Sequence, residues 1–421
     1  MIGTPSSPPL PSPYPDAVRN DPERLGFEIE KHDGAARTGR LLTSHGPVET
    51  PAFIPLATRG AVRRLDVGDV EALGFELILG NTFHLFLAPG AERIAELGGL
   101  HRFMGWERAI ITDSGGFQVF SLAHGNVADE IKGRRGASAG DGGGVLEIGE
   151  RGVAFRSYLD GSHKFMGPEE SMAVQGALGS DIALVFDECT PYHADREYTA
   201  RSTERTHRWL ERCLDWHEEH GPAHQAVFGI VQGGVHEDLR RASAQSVSEA
   251  GVDGIAIGGT LGRDKAEMHG VLEMTAAMLP PEPPKHLLGI GEPDDLLAGI
   301  GLGIDVFDCA VPTRLARHGM ALAPLPDKRF RFDVARGIFA TDEGPLVGGC
   351  PCPTCAVHTR AYLHYLSRAE ELTAGRLLTL HNLTFLERLV AGARAAIAAQ
   401  RFGEYRDAIL AGAAPWEAAV G

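Results

Sequence analysis

Cysteine is scarce in this chain, with six in 421 residues. Three of the six crowd into one hexapeptide, Cys350 to Cys355, and Cys189, Cys213 and Cys309 are scattered. That pattern excludes a disulfide framework and favours a reducing compartment with a metal site. Basic residues are outnumbered, 40 Lys and Arg against 56 Asp and Glu, for a formal net charge of −16. A coat of positive charge for non-specific nucleic-acid binding is thereby excluded, whereas a local basic patch is not. No apolar run reaches the roughly 18 residues a membrane-spanning helix needs. There is no basic-then-apolar leader either. Met1 to Pro15 holds six prolines and reads as an extended, disordered arm within a tail over residues 1–22. What remains, at 23% charged and 43% hydrophobic residues, has ample material for a large core. The expectation is a soluble cytoplasmic protein.

What the chain does have is a series of short apolar runs ending in polar or small residues. They lie at Ala52–Ala57, Leu77–Leu79, Ile110–Thr112, Ala183–Phe186, Val227–Val231, Ile255–Ile257, His286–Ile290 and Val306–Phe307. Runs apolar on both faces, alternating with helix-like stretches, predict parallel strands in repeated βα units. The fold class expected is therefore α/β, a (β/α)8 barrel with an inserted and C-terminal metal-binding subdomain, and the chain length fits that plan. The barrel proper should run from about Pro51 to about Val311, within a catalytic domain over 23–311 that begins with short strands from Leu25 to Thr50. Residues 312–400 would form the appended unit and closing helices, with helices from about His358 to Thr373 and His381 to Gln400, and residues 401–421 a tail. Asp66, Pro89-Gly90, Asp195, His236, Asp264 and Pro293 mark helix starts. Phe117 to Ser180 breaks the pattern with a long glycine-rich excursion carrying Lys132, Arg134 and Arg135.

Three of the runs deliver a carboxylate, Asp113, Asp187 and Asp308, and a fourth delivers Gln232. In a barrel these converge on the mouth at the strand C-termini. A single Asp in such a place more often caps the next helix. Three carboxylates and an amide together point to an enzyme that binds a polar heterocycle and moves protons. Cys350, Cys352, Cys355 and His381 spell C-x-C-x2-C-x25-H. Three thiolates and an imidazole make a closed tetrahedral set suited to one structural zinc, with no open position for catalytic water. His381 is expected at a helix start, with His358 and His364 as rival fourth ligands.

The stretches Ile78–Leu85, Thr112–Val119, Phe186–Thr190, Gly229–Gly234 and Phe307–Arg314, in that order and with the cysteine spacing, resemble the tRNA-guanine transglycosylase (queuine tRNA-ribosyltransferase) family, bacterial type, from about Gly39 to about Gln400. The resemblance implies a pentosyltransferase that replaces the wobble guanine of GUN-anticodon tRNA by a 7-deazaguanine, in queuosine biosynthesis. By matching motif, Asp308 is the nucleophile of a covalent ribosyl intermediate and Asp113 the general acid/base. A carboxylate is the usual nucleophile at an anomeric centre. Asp187 would bind the ring N–H and exocyclic amine, Gln232 and Gly259 the carbonyl edge. Ser114, Gly115, Gly116 and Phe117 would form the wall, Phe117 stacking on the base. Cys189 reads equally as a ring contact or a core thiol, and Met274 as part of a helical core stripe.

The same resemblance implies RNA contacts at Gly289, Ile290, Gly291, Glu292, Pro293, Asp294 and Asp295, and at Thr313, Arg314, Leu315, Ala316 and Arg317, and a homodimer with the zinc unit near its interface. Lys328, Arg329, Arg331 and Arg336 extend the basic stretch. The family's Gly-Gly-Leu-x-Val-Gly-Glu loop reads here Gly258-Gly259-Thr260-Leu261-Gly262-Arg263-Asp264, one residue shorter. Asp264 therefore either replaces the usual Glu or caps the next helix, which leaves 7-aminomethyl-7-deazaguanine, queuine and other 7-deazaguanines open as the incoming base. With no further RNA-binding domain after the zinc unit, an anticodon-directed enzyme is favoured over one acting at another tRNA position or on DNA. It is favoured also over a non-catalytic tRNA-binding subunit, which would be expected to lack Asp113 or Asp308.

Overall fold

A computed structural model describes residues 25–123, 145–259 and 262–418. The expected tail, the basic residues at 132, 134 and 135, and Thr260 and Leu261 lie outside these. The chain enters through an antiparallel meander, β1 (Gly26–Asp33), β2 (Ala36–Thr43) and β3 (Gly46–Thr50). It then passes into β4 (Ala52–Ile54) and β5 (Leu56–Ala57), which are two halves of one strand interrupted at Pro55. Proline has no amide to give a ladder. Each half accordingly pairs with a different neighbour.

β6 (Leu77–Gly80) and β7 (Ala109–Thr112) follow, each fully buried. The excursion after β7 begins with helix Gly116–Ala123 and returns as an antiparallel sheet of β8 (Val145–Gly149), β9 (Gly152–Arg156) and β10 (His163–Met166). It ends in a helix that the sequence reading had not placed, Pro168–Leu178, with proline in its first turn and Gly179 in the left-handed region at its end. Gln175 on this helix donates to the Leu184 carbonyl at 2.9 Å and accepts from the Leu184 amide at 3.0 Å and the Thr112 hydroxyl at 2.9 Å. A buried side-chain amide thus ties strand to strand where the two backbones share few ladder pairs.

β11 (Ile182–Leu184), β12 (Ala226–Val231), β13 (Gly254–Ile257), β14 (Lys285–Leu287) and β15 (Val306–Asp308) complete the parallel set. The hydrogen-bonded order runs β4, β15, β14, β13, β12, β11, β7, β6, β5. Because β4 and β5 are one strand, the sheet closes on itself with eight strands, which is the expected (β/α)8 barrel. Helix Glu237–Glu249 lies so close on β12 that a Cβ at Gly229 would fall 2.6 Å from Val247 Cγ1. Aspartates cap three helices: Asp66 accepts from Asp69 N, Asp195 from Tyr198 N and Asp264 from Glu267 N.

After β15 come helix Val311–Arg317 and a hairpin of β16 (Met320–Leu322) and β17 (Arg331–Asp333), then helices Pro353–Val357 and Arg360–Arg368. Next is a single 27-residue helix, Leu372–Ala398. This corrects the expected break near Thr373 and the expected helix start at His381, which lies inside the helix. Ala374, Leu377 and Leu378 pack in the appended unit, whereas Leu383, Leu386, Leu389, Ala393 and Ile397 join the barrel core. The continuous inward-facing stripe explains why no break occurs. Beyond Gln400 the chain forms helix Phe402–Leu410, with Phe402, Tyr405 and Ile409 buried, and helix Pro415–Ala418. Among the described residues no helix is long and apolar enough to cross a membrane.

Candidate active site and metal centre

The strand C-termini bring Asp113, Asp187, Gln232, Gly259 and Asp308 to one mouth. Asp113, just past β7, is held from three sides. Thr82 N donates to Oδ1 at 2.8 Å, Gln118 Nε2 to Oδ2 at 3.2 Å, and Asn81 Nδ2 also to Oδ2. Burial pushes its carboxyl up to about 7, the negative charge of Asp308 adding to the rise and the Thr82 and Gln118 donors opposing it. A carboxyl poised there exchanges protons near neutral pH. Asp308, at the end of β15, accepts from His286 Nε2 at 3.0 Å and from Gly289 N at 3.1 Å, both on Oδ1. Among the described residues no donor is recorded to its Oδ2, which therefore has lone pairs for another partner.

Asp187 accepts from Ser114 Oγ at 2.9 Å and Gln232 Nε2 at 2.6 Å. Burial raises its carboxyl to about 6, against the pull of these two donors. Gln232 Oε1 is buried and, among the described residues, without a partner. An acceptor so oriented is costly to bury unless a ligand supplies a donor. Gly259 sits at φ +86° with its missing Cβ only 2.6 Å from that same oxygen, so only glycine leaves the approach open. Gly115 and Gly116 lie against Phe83 and Asp187 in the same wall, and Phe117 is half-buried beside them. Cys189 is buried, and burial lifts its thiol to about 12, so it behaves as an inert small apolar group. Met274 is a partly buried side chain packed on the core, as its helical spacing implied.

Several residues of the site had no role assigned from the sequence, although Asn81, Thr82, Gln118 and His286 lie inside the quoted stretches. Asn81, Thr82 and Gln118 hold Asp113, and His286 holds Asp308. Arg240 is fully buried, and among the described residues no carboxylate stands against it. Its guanidinium donates to the carbonyls of Gly234 at 2.8 Å, Val231 at 3.2 Å and Gly258 at 2.9 Å. It thereby pins the two strand ends that present Gln232 and Gly259, and among the described residues its Nη2 has no partner. Burial lowers it to about 10, so it remains a cation at neutral pH.

The residues expected to touch RNA divide sharply. Glu292, Asp294 and Asp295 are engaged within the protein. Glu292 pairs with Lys265 at 2.9 Å and Arg329 at 2.5 Å, Asp294 with Lys265 at 2.6 Å, and Asp295 with His269 at 2.9 Å. Gly291, Pro293, Thr313, Leu315 and Ala316 are buried, leaving Gly289 and Ile290 at the rim. Arg314 and Arg317 make no ion pair among the described residues. Arg317 is held below the usual guanidinium range by partial burial and by the nearby charges of Arg63, Arg314 and Arg64. A crowd of like charge at the mouth is a place for a polyanion. Asp264 accepts from Glu267 N at 2.9 Å, so the carboxylate of the shortened loop serves as the cap of helix Lys265–Ala276.

In the appended unit Cys350, Cys352 and Cys355 converge on His381 Nδ1, their sulfurs 3.6, 3.5 and 3.4 Å away. His381 Nε2 lies 2.8 Å from the Leu322 carbonyl, to which it donates. That fixes the tautomer and aims the free lone pair among the thiols, as in metal sites held by a second-sphere carbonyl. The four groups could hold a metal ion. The rival ligands are elsewhere: His364 Nδ1 bonds the Val334 carbonyl at 3.0 Å and His358 stacks on Tyr362.

A closed α/β barrel that gathers three carboxylates at its mouth, one of them poised near neutrality, is built as an enzyme working by acid–base and carboxylate chemistry. The profile of the family described as Queuine tRNA-ribosyltransferase matches residues 32–414. A queuine tRNA-ribosyltransferase of Roseiflexus sp. (strain RS-1) is 48% identical over 393 residues, covering 91% of this chain and 98% of that protein. One from Nitratidesulfovibrio vulgaris (strain DP4) is 47% identical over 381 residues, covering 90% and 95%. A third, from Oleidesulfovibrio alaskensis, is 46% identical over 398 residues, covering 94% and 98%. This chain belongs to the queuine tRNA-ribosyltransferase family.

Proposed function

We propose that the protein is a tRNA-guanine transglycosylase, a pentosyltransferase that exchanges the wobble guanine of GUN-anticodon tRNA for a 7-deazaguanine in queuosine biosynthesis, in the cytoplasm where its tRNA resides. The observation that carries this is the pairing of Asp113 and Asp308. One is a carboxyl raised to about 7, the other a carboxylate steadied on a single oxygen by His286 and Gly289. The free oxygen of Asp308 attacks the ribose anomeric carbon while the bond to guanine breaks, and protonated Asp113 gives its proton to the departing base. The incoming 7-deazaguanine then surrenders its ring proton to Asp113 and displaces Asp308, so that two inversions return the original configuration. Asp187 supports recognition of the ring N–H and amine, and the unpartnered Gln232 with the backbone at Gly259 supports recognition of the opposite edge. Entering the mouth requires the nucleotide to leave its stack, with Arg314 and Arg317 at the lip for the backbone.

Zinc suits the four-residue centre. Tetrahedral zinc at ordinary Zn–S and Zn–N lengths sets sulfur and nitrogen about 3.6 Å apart, close to the 3.4–3.6 Å seen here. With every position filled by protein, such an ion supplies folding energy and no Lewis-acid step. A homodimer is supported by exposed apolar side chains on this unit, Ile338, Val357, Tyr362, Tyr365 and Leu372. The deciding experiment supplies labelled guanine with a GUN transcript, the same transcript carrying adenosine at the wobble position, and a DNA duplex. Label in the first alone is expected, and Asp308→Asn should abolish it while tRNA binding persists. Label in DNA, or near-normal exchange by Asp308→Asn, overturns the assignment.

A further inference from the structure

The pole of the barrel opposite the mouth carries a second cluster that the exchange reaction does not use. Asp181, immediately before β11, is 1% exposed. Its Oδ1 lies 2.7 Å from His45 Nδ1, on the turn between β2 and β3. Its Oδ2 accepts the Ile110 amide at 2.8 Å and stands 3.3 Å from His101 Nε2, on helix Gly99–Met104. The two imidazoles stack, centroids 3.6 Å apart and planes 15° from parallel. His101 is buried, and among the described residues its Nδ1 makes no hydrogen bond while its Nε2 has only the Asp181 carboxylate at 3.3 Å. One ligand atom from each of the three residues lies within 4.8 Å of the others.

A buried imidazole with one nitrogen unpartnered and the other only loosely paired forfeits hydrogen bonds that water would provide, and native proteins rarely leave such a group so. Its neutral form keeps one lone pair for an electrophile. Two imidazoles and a carboxylate are the donor set of Zn2+ and its first-row neighbours, not of Mg2+ or Ca2+, which prefer oxygen. We propose that His45, His101 and Asp181 form a second metal site, taking Zn2+ or a similar borderline divalent cation, that clips the β2–β3 turn to the floor of the barrel.

Three protein donors leave a coordination position for water, unlike the closed set of three cysteines and His381. The near-parallel rings keep their lone pairs in separate planes, so one ring must tilt to share an ion. His45, with 28% of its side chain exposed on a turn, is the one with room to do so. This site is therefore the weaker of the two and empties first under a chelator. The ion would join segments 136 residues apart in sequence, and closing so long a loop stabilises the folded state by restricting the unfolded one.

The test is zinc stoichiometry on the full chain, incubated with excess zinc sulfate, desalted, and measured by plasma mass spectrometry. Wild type should carry two zinc ions per chain. His45→Gln and, separately, His101→Gln should carry one, while His163→Gln, at an exposed histidine elsewhere, keeps two. Added Zn2+ should raise the melting temperature of the wild type and not that of His45→Gln, and His45→Gln should exchange guanine at the wild-type rate. One zinc in the wild type, two in His45→Gln, or loss of the second ion in His163→Gln overturns the proposal.

Discussion

Replacing Arg240 by methionine tests whether the base pocket depends on a buried cation that touches no substrate. The substitution keeps most of the side-chain volume and removes donors to three carbonyls, those of Val231, Gly234 and Gly258. The Val231 carbonyl keeps the Gly258 amide at 3.1 Å, so two buried acceptors are left empty at about 1–3 kcal/mol each, a gross loss of roughly 2–6 kcal/mol, and relief of a desolvated guanidinium offsets part of it. The net expectation is a destabilisation of about 1–3 kcal/mol, readable as a fall in the urea midpoint. The functional effect should be separable from it. Val231 and Gly258 border Gln232 and Gly259, so freeing them blurs the base-reading edge and leaves Asp113 and Asp308 in place. Loss of one well-made hydrogen bond to the base corresponds to roughly tenfold in KM for guanine, with kcat much less affected. Guanine titrations of the exchange rate at saturating tRNA, run below the unfolding transition, give both constants. Lysine at this position reaches fewer carbonyls than the planar guanidinium fork and should recover only part of the loss. An Arg240→Met protein with wild-type stability and unchanged KM refutes the reasoning; so does one whose kcat collapses while KM holds.

Guanine-for-guanine exchange should follow a bell in pH, with limbs near 6 and 7. Asp187 must be ionised to accept from the base, so activity is lost as pH falls through about 6. Asp113 must be protonated when guanine leaves, so it is lost as pH rises through about 7; a flat profile from pH 5 to 9 contradicts both. In stability terms both carboxyls have folded values above the unfolded ones, so the stability they add is complete at about pH 4 and is lost as pH climbs through 6 and 7. Removing zinc with a strong chelator should lower the melting temperature and loosen residues 320–358, read as faster amide exchange there than in the barrel strands. Tyr365→Glu, in the exposed apolar patch, should convert a dimer to a 45 kDa species by light scattering; a wild type that is already monomeric removes the dimer from the proposal.

The strand ends were legible because a parallel strand buried on both faces is a continuous apolar run, and its first polar residue marks the mouth. Asp113, Asp187, Gln232 and Asp308 were all found that way. The four residues that could hold a metal were legible from spacing, and His381 was included although its helix was read as beginning there. Gly375 and the polar Thr379 stand where the break was expected, whereas a stripe of buried apolar residues, Ala374, Leu377, Leu378, Leu380 and Leu383, runs straight across it. Arg240 was illegible for a different reason. It follows Leu239 and precedes Arg241 on an amphipathic helix, where a charged pair reads as solvated surface, and its partners are backbone carbonyls that leave no mark in a sequence. The excursion over 117–180 hid helix Pro168–Leu178 because the buried Gln175 and Ser171 dilute its apolar stripe. The acidic residues after Gly291 were assigned to RNA by the resemblance alone, and their partners Lys265, His269 and Arg329 lie far off along the chain, where no local pattern announces the pairing.

Pro55 divides the first barrel strand, so that β4 meets β15 and β5 meets β6. The seam of the closed sheet therefore lies between a segment made near the start of synthesis and one made 254 residues later, from Ala52 to Val306. At 5–20 residues per second a ribosome needs roughly 13–50 s to cover that interval. Throughout it β4 has a bare edge, and the growing sheet is an open trough with unpaired amides on its rim. Helix Leu372–Ala398, whose second half covers that seam, emerges later still. During translation the nascent chain must therefore keep an unfinished edge from pairing with other chains for tens of seconds, and the moment of danger ends with the arrival of the strand that carries Asp308.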